Sequence, residues 1–206
     1  MARSTSRKRR TASERFVWTK ELIIFLSGLG LLIALTIWAL IPTKSERFYK
    51  EWTEAAAANE VQSVIPKDNV FEYIDYSDLK KKIDKNPDEP IYVFYAYSED
   101  INCLNSIVTL QDKATYYGVE QIYILNADFY AELEDEDKVQ DNKEYKEILE
   151  QQEALGVEFD KIGQLWVFQN GTIKFNSSDD KYEEQSFEFI AKKCFQEFAV
   201  KDSINL

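Results

Sequence analysis

Hydrophobic and polar positions divide this chain into three stretches of different rhythm. Residues 22–41, LIIFLSGLGLLIALTIWALI, run for twenty positions without a charge. At about 1.5 Å per residue, a helix of that length spans the roughly 30 Å hydrocarbon core of a bilayer. Trp18 and Trp38 stand near its two ends, where interfacial aromatics belong. The pattern predicts a transmembrane helix over residues 21–42, so a lipid bilayer is the expected partner of residues 22–41. A cleaved signal peptide has a shorter apolar core, roughly 7 to 15 residues, and a small-x-small cleavage site, which Ile41-Pro42-Thr43-Lys44 does not offer. Arg9-Arg10 lacks the apolar continuation of a twin-arginine signal. Gly30 and Ala34 form a small-xxx-small pair, a spacing common by chance in apolar helices.

The second stretch begins where Pro42 closes the span. Thr43-Lys-Ser-Glu46 fits a capping box, and Phe48, Trp52, Ala55, Ala56 and Asn59 then share one helix side. The expectation is a juxtamembrane helix to about Gln62, packed on the following domain or lying at the membrane interface. Pro66-Lys-Asp-Asn69 marks a linker, which divides residues 43–66 from a domain over 67–206.

In the third stretch, apolar runs alternate with stripes of helical period. Residues 70–74, 91–96 and 121–127 read as strands, and residues 77–83 as a short helix between the first two. The run IYVFYA at 91–96 has no polar alternation, as in a strand buried on both faces. It breaks at Ser98, Glu99 and Asp100, which supply turn and N-cap chemistry. Cys103, Ile107, Leu110, Ala114 and Tyr117 then recur on one helix face, and Gly118 ends it. Tyr145, Ile148, Leu149 and Leu155 predict an amphipathic helix stopped near Gly156. Residues 164–168 and 172–175 are strands joined by Asn170-Gly171, a strong hairpin signal. Phe187, Ile190, Ala191, Cys194 and Phe198 make the apolar face of a last helix. The order βαβαβαββα predicts an α/β domain: parallel units closed by an antiparallel hairpin, a mixed central sheet with helices on both faces, and the hairpin at one edge.

Composition narrows the chemistry. The 206 residues contain no histidine and two cysteines, which excludes Ser-His and Cys-His catalysis, His-based zinc sites and a disulfide framework. No cofactor and no metal are expected. Residues 1–20 carry seven Lys/Arg and one acid, so the positive-inside rule places them in the cytoplasm as a basic tail and the domain outside the cell membrane, single-pass. Residues 43–206 carry 18 basic and 35 acidic side chains, a body that repels nucleic acid. The acidic loop Glu132-Leu-Glu-Asp-Glu-Asp137 with Asp141 lacks the glycine and spacing of a calcium loop and reads as a solvated run. Asn170-Gly-Thr172 and Asn176-Ser-Ser178 match glycosylation sequons, the first already explained by the hairpin. The Lys-, Ile-, Asn- and Tyr-rich composition suits a bacterial envelope protein.

Cys103 has two readings. In the first turn of a helix, the partial positive charge of the helix dipole can make a thiol a low-pKa nucleophile. In an apolar stripe it is a small buried hydrophobe. Cys194, on the apolar face of the last helix, reads as buried.

Several ordered motifs carry a resemblance. Strand residues around Val93 and Phe94 lead to Ala96; Leu125-Asn126-Ala127-Asp128 ends the next strand; Leu155-Gly156-Val157 follows; and Leu165-Trp-Val-Phe-Gln-Asn-Gly171 closes an apolar strand. Over residues 70–200 this set resembles the thioredoxin family. The family carries W-C-x-x-C at the strand-to-helix turn and a cis-proline before the penultimate strand. Here Asp100-Ile101-Asn102-Cys103 keeps sulfur only at the resolving position, and Gly163 stands in the proline's place. The resemblance therefore implies a membrane-anchored, extracytoplasmic domain with a degenerate active site, which binds or assembles envelope or secreted proteins. Its expected binding residues are Ser98, Glu99, Asp100, Ile101, Asn102, Ile162, Gly163 and Gln164. The alternatives are a one-cysteine thiol-disulfide oxidoreductase or redox sensor working through Cys103, and a structural disulfide between Cys103 and Cys194.

Overall fold

The structure, a computed structural model, describes residues 19–40, 42–62, 65–127, 143–159 and 161–199. Two compact units make it up, Met1–Pro42 and Thr43–Leu206. The basic segment 1–18, the acidic loop at 128–142 and residues 200–206 lie outside the described residues.

In the first unit, α1 (Lys20–Leu40) is a helix of 21 residues. Its hydroxyls turn back on its own backbone: Ser27 Oγ donates to the Ile24 carbonyl at 2.9 Å and Thr36 Oγ1 to that of Leu32 at 2.7 Å. Large apolar side chains from Ile23 to Leu35 are exposed all along it. Side chains are described here only as far as Thr36, and among the described residues no helix is long and apolar enough to cross a membrane.

The second unit opens with α2 (Lys44–Ala58), whose capping box is formed as expected, Thr43 and Glu46 each bonding the other's backbone N–H. The expected stripe turns inward: Phe48, Trp52 and Ala56 are buried. Phe48 lies 4.9 Å from Phe71 and 5.4 Å from Tyr73 between ring centres, and Trp52 Nε1 donates to Tyr73 Oη at 2.8 Å. Of the two placements open to this helix, packing on the domain is the one observed.

There follow β1 (Phe71–Ile74), α3 (Tyr76–Lys85), β2 (Ile91–Ala96), α4 (Ile101–Tyr117), β3 (Ile122–Asn126), α5 (Lys143–Leu155), β4 (Gln164–Gln169), β5 (Thr172–Asn176) and α6 (Phe187–Phe198), with a 3₁₀ turn at Asp180–Tyr182 that the pattern did not announce. The protein is a mixed α/β structure with a five-stranded sheet in the order β1-β3-β2-β4-β5. β1 and β2 both run parallel to β3, while β4 is antiparallel to β2 and to β5. β5 forms one edge. Its hairpin turns through Asn170 (φ 55°) and Gly171 (φ 73°), the left-handed pair a two-residue turn of matching twist requires.

Each face of the sheet has its own core. One contains Phe48 and Trp52 of α2, the α4 stripe with Cys103, and Ile190, Ala191, Cys194 and Phe195 of α6. Phe187 and Phe198, expected on the buried face of α6, only pack against this core, and Phe195 fills it. The other core holds Leu79 and Ile83 of α3 with Val93, Tyr95, Trp166 and Phe168, covered by Leu155, Val157 and Phe159. Of the α5 stripe, Leu155 alone lies among the described side chains, and it is buried.

Candidate functional site

β2 ends at Ala96, and the chain turns through Tyr97, Ser98 and Glu99 into α4. The Asp100 N–H donates to the Tyr97 carbonyl at 3.2 Å. Asp100 then caps the helix, its Oδ1 accepting from the Cys103 N–H at 2.7 Å. Satisfying a first-turn donor is what an N-cap carboxylate does, so Asp100 is occupied by the helix. Glu99 Oε2 accepts from Tyr97 Oη at 2.9 Å and steadies the turn.

Cys103 lies directly beneath this cap and is completely buried. The loop before β4 closes over it. A Cβ placed on Gly163 would stand 3.7 Å from Cys103 Sγ, and the Gly163 N–H donates to the Tyr95 carbonyl at 2.8 Å. With φ at +86°, this backbone suits glycine and strains any other residue. The structure thus brings together two positions sixty residues apart, the cysteine and the glycine at which the resemblance places the family's two landmarks.

Burial pushes the Cys103 thiol up to about 12. A hydrogen bond with the Tyr97 backbone pulls it down and the Asp100 carboxylate pushes it up further, both less than burial does. The favourable helix terminus is overridden because a thiolate there loses its water. At neutral pH the thiol is therefore held protonated, and nucleophilic chemistry needs the anion. Cys194 is likewise raised by burial, and both thiols are free. The structural disulfide considered from sequence is therefore not formed.

The remaining expected residues divide into two groups. Gln164 is buried in the second core and pinned there: its Nε2 donates to the Lys161 carbonyl at 2.8 Å and to that of Glu158 at 3.2 Å, while its Oε1 accepts from Trp166 Nε1 at 3.0 Å. These bonds hold the loop before β4 in place. Ile162 is half-buried and touches both cores. Ser98, Glu99, Ile101 and Asn102 form the accessible surface, and Ile101 is 51% exposed. Outside α1, Ile101 is the one large aliphatic side chain so exposed among the described residues.

Sequence reasoning missed what holds the Gly163 loop down. Tyr95 stacks on Phe159 at 4.9 Å and on Trp166 at 5.4 Å, and Phe159 lies 5.6 Å from Trp166. Phe159 sits in a segment without periodicity, so only the polar Gln164 heading an apolar strand hinted at this cluster. Among the described residues no group of His, Cys, Asp and Glu is placed to hold a metal ion, and the acidic residues weighed for calcium at 132–137 and 141 lie outside them.

No protein-family model matches the chain, and no curated protein matches it.

Proposed function

We propose that this protein is a thioredoxin-like binding or assembly module for envelope or secreted proteins, anchored in the cell membrane by residues 22–41 and facing outward. The observation that carries the reading is the sealed thiol: Cys103 is buried beside Gly163 in the first turn of α4, after β2, where the family resemblance puts its redox centre. A mixed sheet in which parallel units are closed by an antiparallel hairpin agrees with that resemblance, as does the approach of the loop before the penultimate strand to the first turn of α4. The anchor is supported by the apolar surface of α1 and by the hydroxyls of Ser27 and Thr36, which return to carbonyls of the same helix. The sequence continues without a charge to Ile41. Binding is favoured over thiol chemistry because the accessible part of the site, Ser98, Glu99, Ile101 and Asn102, contains no thiol.

The experiment is a photo-crosslinking residue at position 101 in the full chain, in intact membranes, with and without Cys103→Ala. A protein adduct that persists in Cys103→Ala is expected. An adduct that needs Cys103, or rapid iodoacetamide labelling of Cys103 in the native protein at pH 7, favours the one-cysteine oxidoreductase and overturns the reading.

A further inference from the structure

Charge on the second unit is strongly polarised along the chain. Residues 43–85 carry eight basic and nine acidic side chains, whereas residues 86–206 carry ten basic and twenty-six acidic. Four lysines of the near-neutral part, Lys44, Lys81, Lys82 and Lys85, line one hollow of about 400 Å³ beside the β1 edge, together with Asn86 and Tyr123. Glu72, Asp75 and Asp78 line it too, and they engage part of this charge: Lys44 pairs with Glu72, and Lys81 with Asp78 at 2.7 Å. Lys82 and Lys85 have no ion-pair partner among the described residues, and Lys82 lies 4.8 Å from the centre of the Tyr123 ring.

We propose that this lysine-lined hollow docks on the phosphate headgroups of an anionic lipid surface, so that the α3 side of the domain faces the membrane. The inference rests on the membrane-anchored reading above. Lys44 follows Ile41, the last residue of the uncharged segment, by three positions. Three residues of extended chain reach at most about 10 Å, close to one Debye length at physiological salt. The hollow therefore begins within electrostatic range of the headgroups. The excess acid of residues 86–206 is repelled by the same surface, so attraction at α3 and repulsion elsewhere select one orientation. α4, with Asn102 in its first turn, packs on the opposite face of the sheet from α3. Docking by the hollow leaves the Ile101 surface open to a partner from outside.

The test uses the full chain in nanodiscs of phosphatidylcholine alone or with about one third phosphatidylglycerol, a strongly anionic surface. A fluorophore is placed on Asn86→Cys or on Asn102→Cys, the native thiols being buried, and is quenched by headgroup spin labels. Stronger quenching at position 86 in the anionic discs, with position 102 unaffected, is expected. Lys85→Glu should lower the docked-to-free ratio about fivefold or more, and about 0.5 M salt should abolish the difference. Lys85→Gln, which cannot disturb the fold by charge repulsion, should show a smaller loss in the same direction. Equal quenching in both lipids, or quenching indifferent to Lys85→Glu, overturns the proposal. A response to inorganic phosphate that is the same in both lipids assigns the hollow to a soluble anion and overturns it as well. Failure of the chain to enter nanodiscs at all defeats the anchor itself, a result separate from those outcomes.

Discussion

The two faces of the sheet are built by different means. On the α2, α4 and α6 face, three helices lay periodic apolar stripes on the strands, and Phe48, Trp52, Leu110 and Phe195 are shielded almost completely. On the other face one periodic helix, α3, shares the work with the end of α5 and the irregular segment through Val157 and Phe159. The second core is smaller and is closed by a loop. That loop is also the lid over Cys103, which belongs to the first core. A residue of one core is thus in contact with the loop that closes the other.

Removing a large side chain from either core tests this most severely. Trp52→Ala and Trp166→Ala should each cost about 3 to 5 kcal/mol, since both rings are buried. Their effects on the thiol should differ: Trp166→Ala removes the platform for Tyr95 and Phe159 and the donor to Gln164, so iodoacetamide should reach Cys103 faster, while Trp52→Ala should leave it sealed. Equal labelling in the two variants, measured under conditions where both remain folded, would break the comparison.

Alkaline pH probes the same seal. Cys103 titrates near 9.0 when free and about 12 in the fold, so the folded state holds a proton the unfolded state has released. Its stabilising contribution is complete below pH 9 and is lost as pH rises toward 12, at about 1.4 kcal/mol per pH unit. Cys194, also raised, adds to the slope. Denaturant midpoints between pH 8 and 11 should fall, and fall less in Cys103→Ala.

Gly163→Ala is a smaller perturbation. The added methyl meets Cys103 Sγ at ordinary contact distance, but φ of +86° strains it, at a cost of about 1 to 2 kcal/mol. Chemical denaturation should show this loss without faster thiol labelling; fast labelling would mean that the backbone conformation, rather than the aromatic stack, keeps the lid down.

The smallest effect is expected at Tyr92, whose buried hydroxyl has no hydrogen-bond partner among the described residues. Tyr92→Phe should be neutral or stabilise by up to about 1 kcal/mol in thermal unfolding, because it removes an unsatisfied polar atom and little volume. A loss of more than that would reveal a partner for the hydroxyl.

Local chemistry made much of this architecture legible in advance. The strands at 91–96 and 164–169, the capped and stopped α4, the hairpin at Asn170-Gly171 and the capping box of Thr43 all follow from short-range preferences and periodicity, which act between neighbours in the chain. The uncharged run at 22–41 and the uneven charge belong to the sequence in the same way. The position of Cys103 at the start of a helix was equally plain, but its character was not. Helix dipole and burial push a thiol in opposite directions, and local sequence sets the first while long-range packing sets the second. Only the tertiary structure brings Gly163 over Cys103, ties the Gln164 side chain to the loop before β4, and seats α2 in the core. These outcomes depend on contacts between residues far apart in the chain, where no periodic pattern carries the information.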